Sequence, residues 1–600
     1  MSSEREPACE TAVLIVGGGP AGVVSALCLA ARGIPSIVVE RRQRVDGHPK
    51  AHELNTRSIE ILHDLGVTSE ELEAEASPEK DGSRILFCRT INQEFGRIDL
   101  GTEEASAHKY REHLRAPRPY LNLSQTEFEK VLARHAEKEP LVDVRRGVEW
   151  EGMRETEGGL VSTVRDVRRD SSDEIRSRYV LGCDGAGSPV RKALGIGMDG
   201  PPKLQDFLNV YFEHNLRDRL ETPAKLYWIL HPEASGAFIA HHVERRWTYN
   251  MPLTSPWETR DDWDENKLRD RIHTALGFDA GIEIRSVSSW RMTVQVAERY
   301  RQGRVFLVGD SAHRFPPTGG LGMNTGIADA HNLAWKVAAV LEGTAEDWLL
   351  DSYETERRPV AVRNAEESLA NFHKIFEVVE ALGLKPSGAE LLARLRSPRA
   401  LRWIPRSLKR GLVRVAVKLA ERALGRFQDD AALRGRVQRA IQDQTAHFDR
   451  IGLDVGYVYE EGALVPDGAR STAQHSVTEY APTTDPGARF PHVALDGEVG
   501  GRSSLDLVDY RRWTLLGAAG AERWREAARA LGGELETSVE YLGLDEVDAV
   551  AGARSRLTEI CDLGEQGAVL IRPDGHVAWR TRSEGNVSDL RRVAEALGLR

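Results

Sequence analysis

Long apolar runs are missing from this sequence, and so is any paired arrangement of cysteines. No stretch of about 18 apolar residues occurs, too little for a membrane-spanning helix, and no basic stretch followed by an apolar core opens the chain as a secretion signal would. The five cysteines, Cys9, Cys28, Cys88, Cys183 and Cys561, show no CxxC or other ligand spacing. Neither a disulfide framework nor a zinc site is indicated, and no metal is expected; unpaired thiols suit a reducing cytoplasm. Positive charge is in deficit, with 81 Lys and Arg against 92 Asp and Glu and a net charge of −11. That balance argues against a nucleic-acid partner. What remains, 600 residues that are 41% hydrophobic and 29% charged, is the composition of a soluble globular protein of roughly two to four domains.

Glycine is plentiful, and it is concentrated where a nucleotide would need it. The β-branched run 11–16 flows into Gly17-Gly18-Gly19-Pro20-Ala21-Gly22 and a helical stretch 23–32, and a second strand, 34–39, ends at Glu40. Glycines at 17, 19 and 22 allow a tight turn and close approach to a pyrophosphate, a helix start lies beneath the phosphates, and the acid suits a ribose hydroxyl.

A second run, 309–326, follows the apolar strand 305–308: Gly309-Asp310, then Phe315-Pro316-Pro317-Thr318-Gly319-Gly320-Leu321-Gly322-Met323-Asn324. Apolar residues spaced three and four apart from Ile327 to Leu341 predict a helix from about Asn324, capped by Asn324 or Thr325. Its free N–H groups and dipole would face a negative charge. A third unit, Cys183-Asp184-Gly185 after the strand 178–182, repeats the form. Two strand ends would therefore present Asp184 and Asp310 beside the first glycine turn, one extended dinucleotide spanning all three. Lys50 and Arg57, after the second strand, are placed to reach phosphates.

From 201 to 299 the pattern changes to alternation, which predicts a mainly antiparallel sheet inserted as a substrate-binding layer, with Tyr211, Trp228, Phe238 and Trp290 as candidates for its inner face. Residues 361–460 read as helical. Within them, 394–426 carries eleven Lys or Arg against one acid, but steps of four residues spiral around the helix rather than forming one face, so a solvated or interdomain helix is expected. After a linker-like stretch, 485–600 alternates strands and helices, with a hairpin turning at Pro573-Asp574-Gly575.

The three glycine motifs, in this order and spacing, resemble class A flavoprotein monooxygenases of the para-hydroxybenzoate hydroxylase superfamily, in the branch of phenol and dichlorophenol hydroxylases and polyketide-tailoring hydroxylases. The resemblance covers about 10–360, and the tail is similar to the thioredoxin-like C-terminal domain of the larger members, here without a dithiol. It implies an α/β fold: a Rossmann-like FAD-binding domain at 1–200 and 300–360, the inserted sheet, the helical segment, and the thioredoxin-like domain. It implies FAD, with NADPH or NADH as co-substrate, on Gly17, Gly19, Pro20, Ala21, Gly22, Glu40, Arg41, Lys50, Gln125, Asp184, Gly185, Asp310, Pro317, Gly320, Leu321, Gly322, Met323 and Asn324. Lys50 stands where relatives usually carry Arg; the charge is kept and the bidentate fork lost.

The reaction implied is NAD(P)H- and O2-dependent hydroxylation of a phenolic or other electron-rich aromatic through a flavin C4a-hydroperoxide. Backbone N–H groups of 321–324 would stabilise charge on the reduced ring, and Phe315, Pro316 and Pro317 would wall a dry pocket. His52, in the segment that borders substrate in relatives, is the candidate to help deprotonate a phenol. A Baeyer–Villiger or epoxidising enzyme on the same scaffold is one alternative, and a non-catalytic flavin-binding scaffold another. A halogenase is disfavoured, since no Trp-x-Trp-x-Ile-Pro run occurs. A small aromatic and O2 are the expected partners, with a homo-oligomer compatible.

Overall fold

The computed structural model describes residues 9–600 apart from 46, 103, 106–108, 117, 254–257, 384–420, 422–423, 469–475 and 499. The basic stretch 394–426 lies almost wholly outside the described residues.

The first core is an open parallel sheet. Strand β1 (Cys9–Val16) leads into helix α1 (Pro20–Ala31) and strand β2 (Ser36–Glu40). α1 starts with Pro20 at its first position, where a missing N–H costs nothing. It is buried along nearly its whole length, which explains why its apolar residues show little sidedness. After helix α2 (Gln125–Lys138), strand β3 (Ser171–Gly182) and strand β4 (Val305–Leu307) complete the central order β4-β3-β1-β2, with Val142–Arg146 beyond β2. β1 pairs in parallel with both β2 and β3, and β3 with β4. The register sets Val16 beside Gly182 and Gly182 beside Leu307. Three strands thus end level, and the segments 17–22, 183–187 and 309–320 leave from one edge.

Helix α3 (Leu321–Glu342) packs across α1, and helix α4 (Ser352–Ala381) runs beside it. α3 starts three residues earlier than its apolar spacing suggests. Its N-cap is Gly320, left-handed at φ 62°, a conformation glycine adopts without penalty. Neither Asn324 nor Thr325 caps it; both lie inside the helix.

The inserted layer is a seven-stranded sheet in the order Glu283–Met292, Gln205–Glu213, Arg246–Pro252, Gly236–His242, Leu226–Ile229, Arg84–Cys88, Glu94–Asp99. All neighbours are antiparallel except Leu226–Ile229 with Arg84–Cys88. The layer therefore reaches outside 201–299 and recruits two strands from the first segment. One face (Leu208, Val210, Phe212, Phe238, Trp247, Tyr249) is sealed with helix Glu265–Leu276 into a core. The other carries Asn209, Tyr211 and His241 against Pro49, His48 and His52 of the cofactor domain, and Trp228 against the helical segment.

The C-terminal domain has the thioredoxin-like order Val539–Gly543, Trp513–Gly517, Ala568–Ile571, Val577–Thr581. Gly575, at φ 75°, turns its hairpin.

Candidate active site

Gly17 is held at φ 110°, and a Cβ there would stand 2.3 Å from the Cys183 carbonyl oxygen; one on Gly22 would stand 1.9 Å from that of Gly17. The turn is therefore folded against β3 as tightly as the backbone permits. Gly19 differs: a Cβ there would meet nothing within 4 Å, so its surface opens on free space at the start of α1. Glu40 closes the turn from β2, its carboxylate accepting the Gly18 N–H at 2.8 Å and the Arg42 N–H at 2.8 Å. Each oxygen keeps a lone pair for a hydroxyl. Arg41 is exposed on the rim.

At the next strand end, Asp184 accepts the Val190 N–H at 2.9 Å through Oδ2, while Oδ1 is buried with no partner. Burial raises its carboxyl pKa above the ordinary value. Asp310, beyond β4, reaches solvent, yet the cleft around it is deep enough that desolvation raises its carboxyl too. Two acids thus face one trough with hydrogen-bonding capacity to spare. Gln125, first residue of α2, is tied to the backbone of Ala51, which places it beside Lys50. Arg57 does not face this trough. It is buried, paired with Glu60, and donates to the Asp574 carbonyl of the C-terminal domain.

The loop before α3 is anchored on all sides. Thr318 donates to the Ser368 carbonyl of α4 at 2.7 Å, and Phe315 stacks on His313 at 4.8 Å and 5°. His313 Nε2 sits 2.6 Å from Asp329 on α3, whose other oxygen receives Arg357 Nε at 2.8 Å. Pro316 is buried and Pro317 exposed. A Cβ on Gly322 would meet nothing within 4 Å, so the helix N-terminus with the N–H groups of 321–323 opens on space. The observations fit FAD: a glycine turn open at Gly19, an orphaned buried carboxylate oxygen on Asp184 and a helix N-terminus along one trough.

Asn324 is a cross-link. Its Nδ2 donates to the Gly320 and Glu53 carbonyls at 2.8 and 3.0 Å, and its Oδ1 accepts from the Asn55 N–H and the Ser58 hydroxyl. This ties the short strand Glu53–Asn55 to the start of α3 and brings His52, one residue earlier, to the junction of cofactor trough and inserted sheet. His52 is only partly buried, with its Nδ1 3.0 Å from Asn122 Oδ1 and its ring 5.8 Å from that of His241. Burial lowers its pKa; Glu53 pulls the other way, and Lys225 and Arg450 add to the lowering. Glu53 itself is buried between Lys225 Nζ at 2.5 Å and the Arg450 guanidinium. That pair of cations outweighs the desolvation and holds its carboxyl far below the ordinary range.

Of the four aromatics expected on the inner face, Tyr211 and Trp290 share the parity of Asn209, whose side chain reaches Pro49; Trp228 lies on the same face of the sheet but packs into the cluster with the helices Ser352–Ala381 and Ala431–Gln442. Phe238 lies on the opposite face. It pairs across the sheet with Tyr249, on the opposite parity from Ile239 and Thr248, and is fully buried against Phe212, Trp247 and Tyr249. Tyr211 lines an open cleft of about 590 Å³ with His48, Pro49, Lys130, Arg246 and Arg285. His48 bridges Ser286 and Ser288 there at 2.7 and 2.9 Å. Sequence reading missed Glu53, Asn122, Lys225, His241 and Arg450. The one local signal was a Lys entering a strand that is otherwise buried on both faces.

Residues 10–368 match the family described as FAD binding domain, and 483–598 the family described as aromatic-ring hydroxylase, C-terminal. The chain is 32% identical over 614 residues to 2,4-dichlorophenol 6-monooxygenase of Delftia acidovorans, covering 98% of each chain. It is 30% identical to aklavinone 12-hydroxylase RdmE of Streptomyces purpurascens, covering 95% of each. The fold superimposes on the flavin-dependent monooxygenase PieE, solved with FAD and substrate, with a TM-score of 0.82 at 32% identity over 98% of this chain and 99% of that one.

Proposed function

The chain belongs to the FAD-dependent aromatic-ring hydroxylases, and on that premise we propose that its substrate is a phenol whose hydroxyl proton passes to His52. It is an NAD(P)H- and O2-using monooxygenase; FAD, reduced by NAD(P)H, supplies the activated oxygen. The glycine turn and Glu40 bind the adenosine half, Lys50, Gln125, Asp184 and Asp310 the stretch between, and the N–H groups of 321–323 the reactive ring. Phe315, Pro316 and Pro317 exclude water from one side of the ring, and the polar face of the inserted sheet receives the substrate.

The observation that carries the reading is the placement of His52. It is partly open and held where the trough meets the sheet, and burial keeps its pKa below the ordinary value. Removing the O–H proton makes the aromatic ring more electron-rich, which is what attack on an electrophilic oxygen requires. A phenolic substrate agrees with the similar enzymes, named for a dichlorophenol and a phenol. The five unpaired thiols, four of them buried, and the use of NAD(P)H support a cytoplasmic setting.

The test is NAD(P)H oxidation by the FAD-loaded protein across a panel of phenols, with oxygen-18 incorporation from O2 scored in the product. Stimulation by phenols with one labelled oxygen per product is expected. Release of peroxide alone would reject the reading. His52→Gln should cut the coupled rate by about 10²-fold, the usual contribution of a general base.

A further inference from the structure

We infer that Asn122 is a positioning residue: it fixes which nitrogen of His52 carries the proton and leaves Nε2 as the acceptor that faces the substrate. The assignment rests on the reading of His52 as the proton acceptor.

Hydrogen-bond polarity fixes the tautomer. An asparagine amide has one accepting and one donating end, and the orientation it takes is set by the groups around it. Here its neighbours decide. Asn122 Nδ2 lies 2.9 Å from the Ala240 carbonyl oxygen, which can only accept. It also lies 3.2 Å from Ser77 Oγ, whose own hydrogen goes to the His241 carbonyl at 2.6 Å, so that the hydroxyl too must accept from Asn122. Turning the amide over would set its oxygen against both. Oδ1 therefore faces His52 Nδ1, and because it only accepts, Nδ1 must be the N–H. In a neutral imidazole the lone pair is then on Nε2, which has no partner among the described residues and is not sealed from solvent.

The groups around His52 leave this choice to Asn122. The carboxylate of Glu53 is occupied by Lys225 and Arg450. His241 presents its ring edge-on, with Nε2 against Thr248 at 3.1 Å. Lys225 and Arg450 act on His52 through space and oppose its protonation; Arg246 and His48 act on His241. Asn122 is itself buried and pinned from the strand Tyr120–Asn122, which pairs with Glu53–Asn55. The sheet, the short strand pair and the amide together make a rigid mount for one imidazole tautomer.

In the proton step the phenol O–H breaks, the proton joins His52 Nε2, and a phenolate–imidazolium pair results, with no change of oxidation state. An amide at 122 supports the imidazolium weakly; a carboxylate would support it strongly.

The experiment compares FAD-loaded wild type, Asn122→Asp, Asn122→Ala and His52→Gln by two readouts: the pH profile of phenol-stimulated NAD(P)H oxidation, and the absorbance of bound para-nitrophenol, which reports its ionisation without turnover. Asn122→Asp should move the acid limb up by about one pH unit, the effect of a facing carboxylate, and raise the phenolate fraction of bound para-nitrophenol. Asn122→Ala should lower the coupled rate about tenfold or more while the protein keeps its flavin. If His52→Gln lowers the rate but neither Asn122 variant moves limb, spectrum or rate, the role of Asn122 is overturned and that of His52 stands. If His52→Gln changes nothing, the reading beneath it falls. Should Asn122→Asp not retain FAD, the Ala variant decides: an unchanged coupled rate overturns the assignment.

Discussion

Gly17 and Gly19 stand two residues apart in one turn and answer to different constraints. Gly17 is needed by the protein: its φ of 110° and the 2.3 Å from a Cβ to the Cys183 carbonyl leave alanine no place. Gly19 meets nothing within 4 Å of a Cβ, so in the proposed reading its constraint comes from the cofactor and not from the protein. Gly17→Ala should lower the melting temperature of the FAD-free chain by several degrees, since strain and clash add. Gly19→Ala should leave that temperature unchanged and weaken FAD binding roughly tenfold or more, about 1.4 kcal/mol, as measured by flavin fluorescence titration. Tight FAD binding by the Gly19 variant would show that the cradle does not lie against the pyrophosphate.

At the scale of the element, position in the pleat outweighs residue type. Trp228 and Phe238 are both large aromatics in neighbouring strands, yet Trp228 lies on the face covered by the helical segment and Phe238 is sealed on the other against Trp247 and Tyr249. Phe238→Ala should therefore cost about 3–5 kcal/mol of stability with no change in the KM for the phenol, a pairing that chemical denaturation and steady-state kinetics separate. Helix α3 makes a matching point. Its first turn, the proposed seat of the flavin ring, is held in place by Asn324, which sews it to Glu53–Asn55. Asn324→Ala removes four hydrogen bonds and leaves the Glu53 carbonyl and the Ser58 hydroxyl short of partners. It should cost about 2–4 kcal/mol and loosen FAD, and retention of full stability would refute the cross-link.

The whole molecule is held by charges buried between its parts. Arg572, at the turn of the C-terminal hairpin, pairs with Asp574 and donates to Glu356 of α4 at 2.8 and 2.9 Å; Asn332 of α3 donates to Asp574 at 3.3 Å, and Lys336 of α3 closes the cluster on Glu356 at 2.8 Å. Arg489 of the C-terminal part pairs with Glu60 of the cofactor domain. Such pairs add little over apolar packing but are costly to break singly. The C-terminal domain is thus a buttress for α3, without a dithiol. Burial alone would raise the Glu356 carboxyl; Arg572 and Lys336 override it and bring it down to about 2, from an ordinary 4.5. With the folded pKa below the unfolded one, its stabilisation is full above about 4.5 and is lost as pH falls towards 2. Melting temperature should drop through that window, and Glu356→Gln, itself about 3–5 kcal/mol less stable, should flatten the drop. An equally steep acid transition in the variant would assign it to other carboxylates.

The cofactor site was legible in the amino-acid order because its chemistry is local: a turn that needs glycine, a helix start and an acid at the next strand end lie within about thirty residues, and backbone geometry enforces their spacing. The alternating sheet and the strand–helix alternation of the C-terminal domain were legible for the same reason, since periodicity is a short-range property; its thioredoxin-like order came from the family resemblance. The substrate side was not. Which face of the inserted sheet holds Phe238 depends on a register set by strand partners far apart in sequence, including two from 84–99. The junction of His52 with Asn122, Lys225, His241 and Arg450 joins five segments that no local pattern links. Arg57, read as a phosphate ligand, turns instead to the C-terminal domain, a partner more than 500 residues away. Burial and long-range pairing assign those roles, and they exist only once the chain has folded.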